Sequence, residues 1–387
     1  MAKRRSSIIL SGTIVAFLAI ILLVNSTYNA YAEQQISKDK IPMPNPHART
    51  FYLENDGIKL LARALIVTVD NPDNHIVADG DFSGVGALFL KRGDGNFLCT
   101  GTLLPTGKHV LTAAHCITDD FGNYNLKSGT VIFTDENKVN VELALKPKGN
   151  APHSNFNGNI LVGFDVAVIE LKKTAPDTIV RYDIDRDGSN DLNSEFVKVG
   201  FGKHGKGDTG DTGSIDPITK RSATNLYDNS GDVILAQVFG GIPNVNFDSN
   251  SALHFDFDKP TAPHHDAFCL WTGDCDVNGI SEGNTAPGDS GGPALTKNAD
   301  DDYIITGITS YGFTIWEEDE DGSLVKNSDI TPRILDSSFG EFSGDTNVSH
   351  YSDFIDEFLT KGGGGGKKGG GGGGEKPCNP RNPHCES

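Results

Sequence analysis

The sequence predicts an all-β fold, a barrel or a sandwich, that ends in a single helix. Short apolar or alternating runs recur between glycine, asparagine and aspartate residues, and many short strands joined by such turns are typical of these two architectures. The runs lie at 85–90, 110–112, 131–134, 139–145, 166–171, 196–199 and 304–309. Hydrophobic residues make up 37% of the chain, which is enough for a sizeable core.

One apolar stripe near the C-terminal end predicts the helix. Its members recur at the spacing of a helix face: Tyr351, Phe354, Ile355, Phe358 and Leu359. Gly362 ends the pattern and begins a glycine-rich tail over 362–387. Such a composition cannot pack a core, so we expect a flexible tail.

The first 32 residues predict an export signal. A positive stretch at 3–5 precedes an apolar run at 8–24, and small residues at 30–32 flank a cleavage point. Without cleavage, the same run would serve as a membrane anchor. In both cases we expect a secreted or extracytoplasmic protein.

Three further regions follow the signal. Residues 33–75 are marked by prolines, and we expect either a pro-segment or an N-terminal extension there. Residues 76–361 contain every predicted strand and the helix, so they form the predicted main domain. The tail over 362–387 carries a final cysteine pair.

The charge balance limits the classes of partner. The chain has 33 basic and 52 acidic residues, for a formal net charge of −19. Such a surface repels nucleic acid phosphates and anionic lipid headgroups and attracts divalent cations. We therefore expect no nucleic acid partner, and no membrane span if the signal is cleaved.

Six cysteines in an exported protein predict disulfides. Six cysteines allow fifteen pairings. Proximity along the chain favours three local pairs: Cys99–Cys116, Cys269–Cys275 and Cys378–Cys385. The first pair would brace the histidine that precedes Cys116.

Two segments carry the parts of an activated serine nucleophile. The segment LTAAHC at 111–116 contains His115, and the segment GDSGGP at 288–293 contains Ser290. A serine hydroxyl needs an imidazole to take its proton, and the imidazole needs a carboxylate to fix its tautomer. Asp165 stands at the start of an apolar strand between the two segments. We predict His115, Asp165 and Ser290 as a catalytic triad.

The glycines around Ser290 predict an oxyanion hole. They allow a tight turn in which the backbone amides of Gly288 and Ser290 point at one position. Losing one such donor typically costs about 3–4 kcal/mol of transition-state stabilisation.

In these two segments, and in the order His, Asp, Ser, the chain resembles the chymotrypsin/trypsin family from about 76 to 361. The resemblance implies two six-stranded antiparallel β-barrels with the site in the cleft between them. His115 and Asp165 would come from the first barrel, and Ser290 from the second. Further similarity lies in 97–103, 199–202, 307–312 and 346–351.

The resemblance also assigns substrate-binding residues. Ser310, Tyr311 and Gly312 correspond to the strand beside which substrate backbone lies, and Asn284 to the floor of the specificity pocket. Trypsin-like enzymes carry an aspartate at that floor. An amide does not neutralise a buried lysine or arginine, so a strict preference for basic residues is not expected. Asp345 could restore part of a cation preference.

The resemblance also implies how the enzyme would be activated. In the family, a freed N-terminal isoleucine or valine pairs with the aspartate before the nucleophile, here Asp289. Ile76-Val77 is the candidate terminus. Alternatively, these two residues are only the first strand.

An acidic loop suggests calcium. Asp183, Asp185, Asp187 and Asp191 alternate around a glycine as in the start of a calcium loop, but Ser194 stands at the closing position. A second partial match lies at 274–279. The alternative for both is an acidic, solvated turn. Catalysis itself is expected to need no cofactor, so calcium would be structural.

The sequence thus favours a secreted, monomeric serine endopeptidase that hydrolyses protein or peptide substrates through an acyl-enzyme. Two alternatives remain: a catalytically inactive binding module on the same fold, and an esterase or narrow processing hydrolase with the same triad.

Overall fold

The structure is a computed structural model that describes residues 51–361, apart from 56, 64–65, 148–151, 212, 214, 216–218, 240–249, 274 and 276–281. The predicted signal, the glycine-rich tail and the cysteine pair within the tail lie outside the described residues. No helix in the described part is long and apolar enough to cross a membrane.

The first barrel is built from six antiparallel strands. They are β4 Val85–Arg92, β5 Gly95–Leu103, β6 His109–Thr112, β7 Leu126–Thr134, β8 Asn140–Ala144 and β9 Ala167–Glu170. Their order is β8-β7-β4-β5-β6-β9. A bridge between Leu145 and Leu171 joins the two outer strands, and Lys146 N–H donates to Glu170 O at 2.8 Å. The sheet is therefore closed.

The second barrel has the order β12-β11-β16-β17-β19-β14-β13. Its strands are β11 Glu195–Gly200, β12 Arg221–Leu226, β13 Asn229–Ser230, β14 Ala252–Asp256, β16 Pro293–Lys297, β17 Tyr303–Glu318 and β19 Phe342–Asn347. β13 follows β12 after only Tyr227 and Asp228, so the first and last members of the path are one bent strand. This closure makes a second barrel of six strands, and the predicted two-barrel fold is confirmed.

Additional strands extend the second barrel. A hairpin of β1 Phe51–Asn55 and β2 Ile58–Arg63 pairs with β17, and β3 Val67–Thr68 pairs with β15 Gly283–Asn284. Two short strands, β10 Asp183–Ile184 and β18 Leu324–Asn327, also pair with β17. The segment 51–75 is thus integrated with the barrel, and a domain boundary at 76 would cut through this pairing.

Three helices complete the described chain. They are α1 Gly231–Phe239, α2 Ala267–Thr272 and α3 Ser352–Lys361. The predicted C-terminal helix is α3, which buries Ile355 in the apolar core. Just before it, Tyr351 Oη accepts the N–H of Phe164 at 2.8 Å, close to Asp165. The helix therefore supports the segment that carries the predicted acid.

One continuous apolar cluster lies inside and between the barrels. It includes Leu88 and Val131 of the first barrel and Ile305 and Ile315 of the second. Burying an aliphatic side chain of this size stabilises the fold by roughly 1.5–3 kcal/mol. The shared core holds the two barrels against each other and fixes the cleft between them.

Candidate active site

His115 lies directly after β6, in a single 3-10 turn at Ala114–Cys116. A disulfide between Cys116 and Cys99 ties this turn to β5, with 6.3 Å between the Cα atoms. In the chain-entropy model, closing a loop of this length stabilises a fold by about 3 kcal/mol. Arg92 Nη1 also donates to the carbonyl oxygen of His115 at 2.7 Å. The backbone that presents the imidazole is therefore held on two sides.

The carboxylate of Asp165 contacts His115 twice. The Nδ1–H of His115 donates to Asp165 Oδ2 at 2.7 Å, and the backbone N–H of His115 donates to Oδ1 at 2.8 Å. Ser310 Oγ donates to the same Oδ2 at 2.5 Å. Asp165 is only 1% exposed. A buried carboxylate on Nδ1 keeps the proton there and leaves Nε2 able to accept another.

Ser290 lies in the loop between β15 and β16, which docks onto the first barrel. Thr100 N–H of β5 donates to the carbonyl oxygen of Ser290 at 2.8 Å. Cys116 Sγ, next to His115, lies 3.7 Å from the same oxygen. Both barrels thus contribute to one site. Among the described contacts, no hydrogen bond joins Ser290 Oγ to His115, and such bonds often tighten only when substrate is bound.

The backbone amides around Ser290 point in two directions. Asp289 N–H donates to Ala286 O at 3.0 Å, and Gly291 N–H donates to Thr309 O at 2.8 Å. Within the described part of the chain, the N–H groups of Gly288 and Ser290 have no acceptor. Gly288 has φ +109°, and a Cβ there would lie 2.8 Å from the Cα of Gly202. Only glycine fits this turn, which leaves two neighbouring amides available to a ligand oxygen.

Asp289 points away from Ser290 into the protein. Its carboxylate accepts N–H groups from Ile66, Gly202 and Ala286. Burial raises the pKa of Asp289 to about 7, against the lowering effect of these three hydrogen bonds. The negative charge of an ionised Asp289 is therefore only partly compensated in the intact chain.

The residue whose N–H contacts the Asp289 carboxylate is Ile66, and not the predicted Ile76. Ile76 is 48% exposed and forms a bridge with Arg221 on β12. Ile66-Val67 and Ile76-Val77 are identical dipeptides, so the sequence pattern alone did not distinguish them. The earlier pair contacts the aspartate because β3 pairs with β15, close to the Asp289 loop.

Ser310, Tyr311 and Gly312 lie together on β17, as predicted for the substrate strand. One edge of β17 pairs with β19. The other edge pairs with β16 as far as Ile308, and beyond the serine loop it pairs with β2, where Arg63 lies opposite Gly312. The N-terminal hairpin therefore occupies the edge at Gly312 along which an extended substrate would pair. The sequence did not predict that this hairpin pairs with the edge of β17.

Asn284 is buried below this strand and is 1% exposed. Its Oδ1 accepts hydrogen bonds from Ser343 Oγ and from Thr285 N–H. Asp345, by contrast, forms an ion pair with Lys198 and accepts Tyr227 Oη at 2.5 Å inside the barrel. Since its charge is neutralised there, the expectation that Asp345 adds cation preference to the pocket is wrong.

The structure does not bring the four carboxylates of the predicted calcium loop together. Asp183 pairs with Arg186 at 2.9 Å, and Asp187 accepts the N–H of Ser189 at 2.9 Å. Asp185 accepts backbone amides of its own loop, whereas Asp191 accepts Asn347 Nδ2 at 2.8 Å. Calcium at this loop stays a prediction without geometric support.

The second local disulfide joins Cys269 to Cys275, with 4.2 Å between the Cα atoms. It closes the end of α2 in the second barrel. Both predicted pairs within the described residues are present, and the second partial calcium match at 274–279 falls almost entirely outside those residues.

Comparison with known proteins finds a family similarity over part of the chain. The family model described as Trypsin matches residues 75–235. A chymotrypsin-like serine proteinase of Haliotis rufescens is 31% identical over 96 residues, which are 24% of this chain and 37% of the relative. A solved structure titled HL collagenase is 18% identical, with a TM-score of 0.47, over 74% of this chain and 97% of that chain. Residues 75–235, which include His115 and Asp165, are thus similar to the trypsin-like serine proteases, and the two-barrel fold agrees with this similarity.

Proposed function

We propose that this protein is a secreted serine endopeptidase that uses His115, Asp165 and Ser290. The observation that carries the proposal is the double contact of Asp165 with the Nδ1–H and the backbone N–H of His115. A histidine held in this way keeps its Nε2 able to act as a base, and Ser290 is the nucleophile whose proton it would take. The predicted export signal and the two disulfides support an oxidising compartment outside the cytoplasm.

The reaction follows from the chemistry of these groups. Ser290 Oγ attacks the carbonyl carbon of the scissile bond while His115 Nε2 takes its proton, and the carbonyl oxygen becomes an oxyanion. The free N–H groups of Gly288 and Ser290 would bind this oxyanion. When the tetrahedral intermediate collapses, His115 gives its proton to the leaving amine and an acyl-Ser290 remains. A water molecule, deprotonated by His115, then attacks the acyl carbon and releases the second product.

The pocket supports a substrate residue without a positive charge. The one acceptor atom of the Asn284 side chain, Oδ1, already accepts hydrogen bonds from Ser343 and Thr285. Asp345 is paired with Lys198 and does not supply a free negative charge. A buried lysine or arginine head would therefore lie unpaired in this pocket, at a cost that argues against strict trypsin-like specificity.

We further propose that cleavage before Ile66 activates the enzyme. The new α-ammonium group at Ile66 would lie where its amide already contacts Asp289. A cation at this point would compensate the buried carboxylate, whose pKa burial raises in the intact chain. The same cut would disconnect the hairpin that pairs with β17 at Gly312. One cleavage would therefore order the serine loop and allow the substrate edge to open.

A fluorophosphonate probe and a peptide library test the function. We expect the matured protein, but not its Ser290→Ala variant, to be labelled by the probe and to cleave peptides. Lack of labelling in matured, folded protein would favour a binding module. Ester turnover without any peptide cleavage would favour the esterase alternative.

A further inference from the structure

Three aspartates meet inside the second barrel, away from the predicted active site. Asp256 ends β14, Asp258 follows two residues later, and Asp266 lies just before α2. One carboxylate oxygen from each lies within 4.8 Å of the other two. The residues are 4%, 2% and 3% exposed, respectively. Charged groups so fully removed from water require compensation.

Hydrogen bonds compensate only part of this cluster. Asp256 Oδ2 accepts the N–H of Phe268 at 2.8 Å, and Asp266 Oδ1 accepts the N–H of Cys269 at 2.7 Å. Asp258 Oδ1, in contrast, is buried and has no hydrogen-bond partner. A buried oxygen with no donor loses its hydration without replacement, so it marks a position where a partner is expected.

A second buried aspartate shows what compensation by the protein looks like. Asp329 is 1% exposed, and it accepts hydrogen bonds from Thr314 Oγ1, from Ser338 Oγ and from the backbone and side chain of Thr331. Both of its oxygens are satisfied by protein donors. Asp258 differs because one of its oxygens is left without a donor in a cluster of like charges.

The electrostatic surroundings of Asp258 are negative. Burial, followed by the charges of Asp256 and Glu282, raises the pKa of Asp258, and burial also raises that of Asp256. Glu282 is itself 2% exposed and accepts the N–H of Asp258 at 2.8 Å. The neighbouring lysine, Lys259, directs its ammonium to Asp208 instead. A cation bound between the carboxylates would reverse this repulsion.

We propose that Asp256, Asp258 and Asp266 bind a divalent metal ion of the calcium class. Carboxylate oxygens are hard ligands, and Ca²⁺ accepts six to eight of them in flexible geometry, whereas Mg²⁺ retains several waters and fits a buried all-protein cage poorly. Thiolate-binding metals are disfavoured because the nearby Cys269 and Cys275 are joined in a disulfide. The ion would connect the end of β14 to the start of α2.

The site is linked to the predicted specificity pocket. Glu282, which accepts the backbone N–H of Asp258, directly precedes β15, whose second residue is the pocket residue Asn284. Phe257, between two of the ligands, packs in one cluster with Ala286 of the serine loop. The bound ion would therefore stabilise the pocket floor and the approach to Ser290, which predicts a lower KM with calcium.

Metal binding to the full chain tests the proposal, with Ser290→Ala present to prevent self-digestion. We expect Ca²⁺ to raise the melting temperature by several degrees, and Tb³⁺ added alone to show sensitised luminescence that Ca²⁺ reverses. Asp258→Asn should weaken Ca²⁺ binding at least tenfold.

Two further variants sharpen the test. Asp266→Asn retains an acceptor for the Cys269 N–H but loses the charge, so it should also weaken Ca²⁺ binding. This variant replaces Asp258→Asn in the test if Asp258→Asn does not fold. Asp185→Asn, in the acidic loop at 183–191, should leave binding unchanged. An equal response to Ca²⁺ in the parent and in Asp258→Asn would overturn the proposal, as would no response in the parent. These readouts do not depend on protease activity.

Discussion

Asp165 is the residue on which the proposed chemistry depends most. It is buried, and its two oxygens accept three hydrogen bonds, from the side chain and backbone of His115 and from Ser310 Oγ. This arrangement holds the imidazole in one tautomer and one orientation. The carboxylate would also stabilise the imidazolium that forms during acylation.

Replacing Asp165 by asparagine should lower kcat by roughly 10⁴-fold, because an amide no longer enforces the Nδ1–H tautomer. The measurement is steady-state hydrolysis of a peptide substrate by matured enzyme. Asp185→Asn, at a buried aspartate outside the cleft, serves as a control and should retain activity. A loss below tenfold in Asp165→Asn would contradict the assigned role.

Lys198 is a second residue whose burial has a measurable consequence. It is 1% exposed and pairs with Asp345, and its Nζ also donates to Thr309 Oγ1 at 2.8 Å. Removing one partner of a buried ion pair leaves the other charge uncompensated. Lys198→Met should therefore lower the free energy of unfolding by about 3–5 kcal/mol.

Urea denaturation of the Ser290→Ala protein measures this loss. The double variant Lys198→Met, Asp345→Asn should recover part of the stability, because it removes the orphaned charge. If the double variant is less stable than Lys198→Met alone, the pair does not act through charge compensation.

At the scale of elements, the N-terminal hairpin is the least expected feature. β2 lies between β1 and β17, so its backbone N–H groups serve one neighbour or the other. A proline at Ala62, opposite Phe313, would remove a ladder hydrogen bond and disrupt the pairing near Gly312. The occupied substrate edge should then open.

The rate of labelling of Ser290 measures this opening in the uncleaved protein. A peptidyl phosphonate needs the β17 edge, whereas a small fluorophosphonate does not. Ala62→Pro should raise the ratio of the two labelling rates at least tenfold. Val325→Pro, in β18 at the far end of β17, is the matched control and should leave the ratio unchanged. An unchanged ratio in both variants would show that the hairpin does not block substrate.

The elements show which parts of the fold the sequence could predict. Strands such as β4 and β9 were predicted because their apolar runs are local and bounded by turn residues. The apolar pattern predicted 304–309 of β17 and the family resemblance extended it to Gly312, but the strand runs to Glu318. Its second half is a strand because β2 pairs with it from about 250 residues earlier in the chain, and no local pattern reports such a partner.

In the candidate site, too, the sequence could predict some residues and not others. His115, Asp165 and Ser290 lie in motifs whose composition reflects their chemistry, so they could be identified one by one. Ile66 and the cluster at Asp258 could not, because each depends on residues that meet only after folding. The contact between Ile66 and Asp289 spans 223 positions, and nothing in the Ile-Val dipeptide distinguishes it from the later one.

At the scale of the whole molecule, cleavage should redefine the N-terminus. If Ile66 provides the ammonium group for Asp289, N-terminal sequencing of active secreted protein should begin at Ile66. Asp289→Asn should abolish the gain in activity on cleavage, because the ammonium would lose its partner. Fully active material that begins at Glu33 would contradict this activation model.

The same cleavage should change how stability depends on pH. Burial raises the pKa of Asp289 from 3.8 to about 7 in the intact chain. The unfolded chain therefore releases this proton near pH 4 and the native chain near pH 7. Between these values the native state binds more protons, so the free energy of unfolding falls as pH rises, by up to about 4 kcal/mol for this group.

An ammonium at Ile66 would stabilise the carboxylate, lower the pKa of Asp289 and remove this loss. Urea denaturation of intact and cleaved Ser290→Ala protein at pH 4.5 and pH 8 compares the two forms. The other buried carboxyls with raised pKa, such as Glu341, are present in both the intact and the cleaved form. The difference between the two pH dependences therefore reports on the region of the cut. We expect the cleaved form to lose less stability at pH 8, and intact Asp289→Asn to behave like it. Parallel pH profiles of the intact and cleaved forms would mean that Asp289 gains no cation on cleavage.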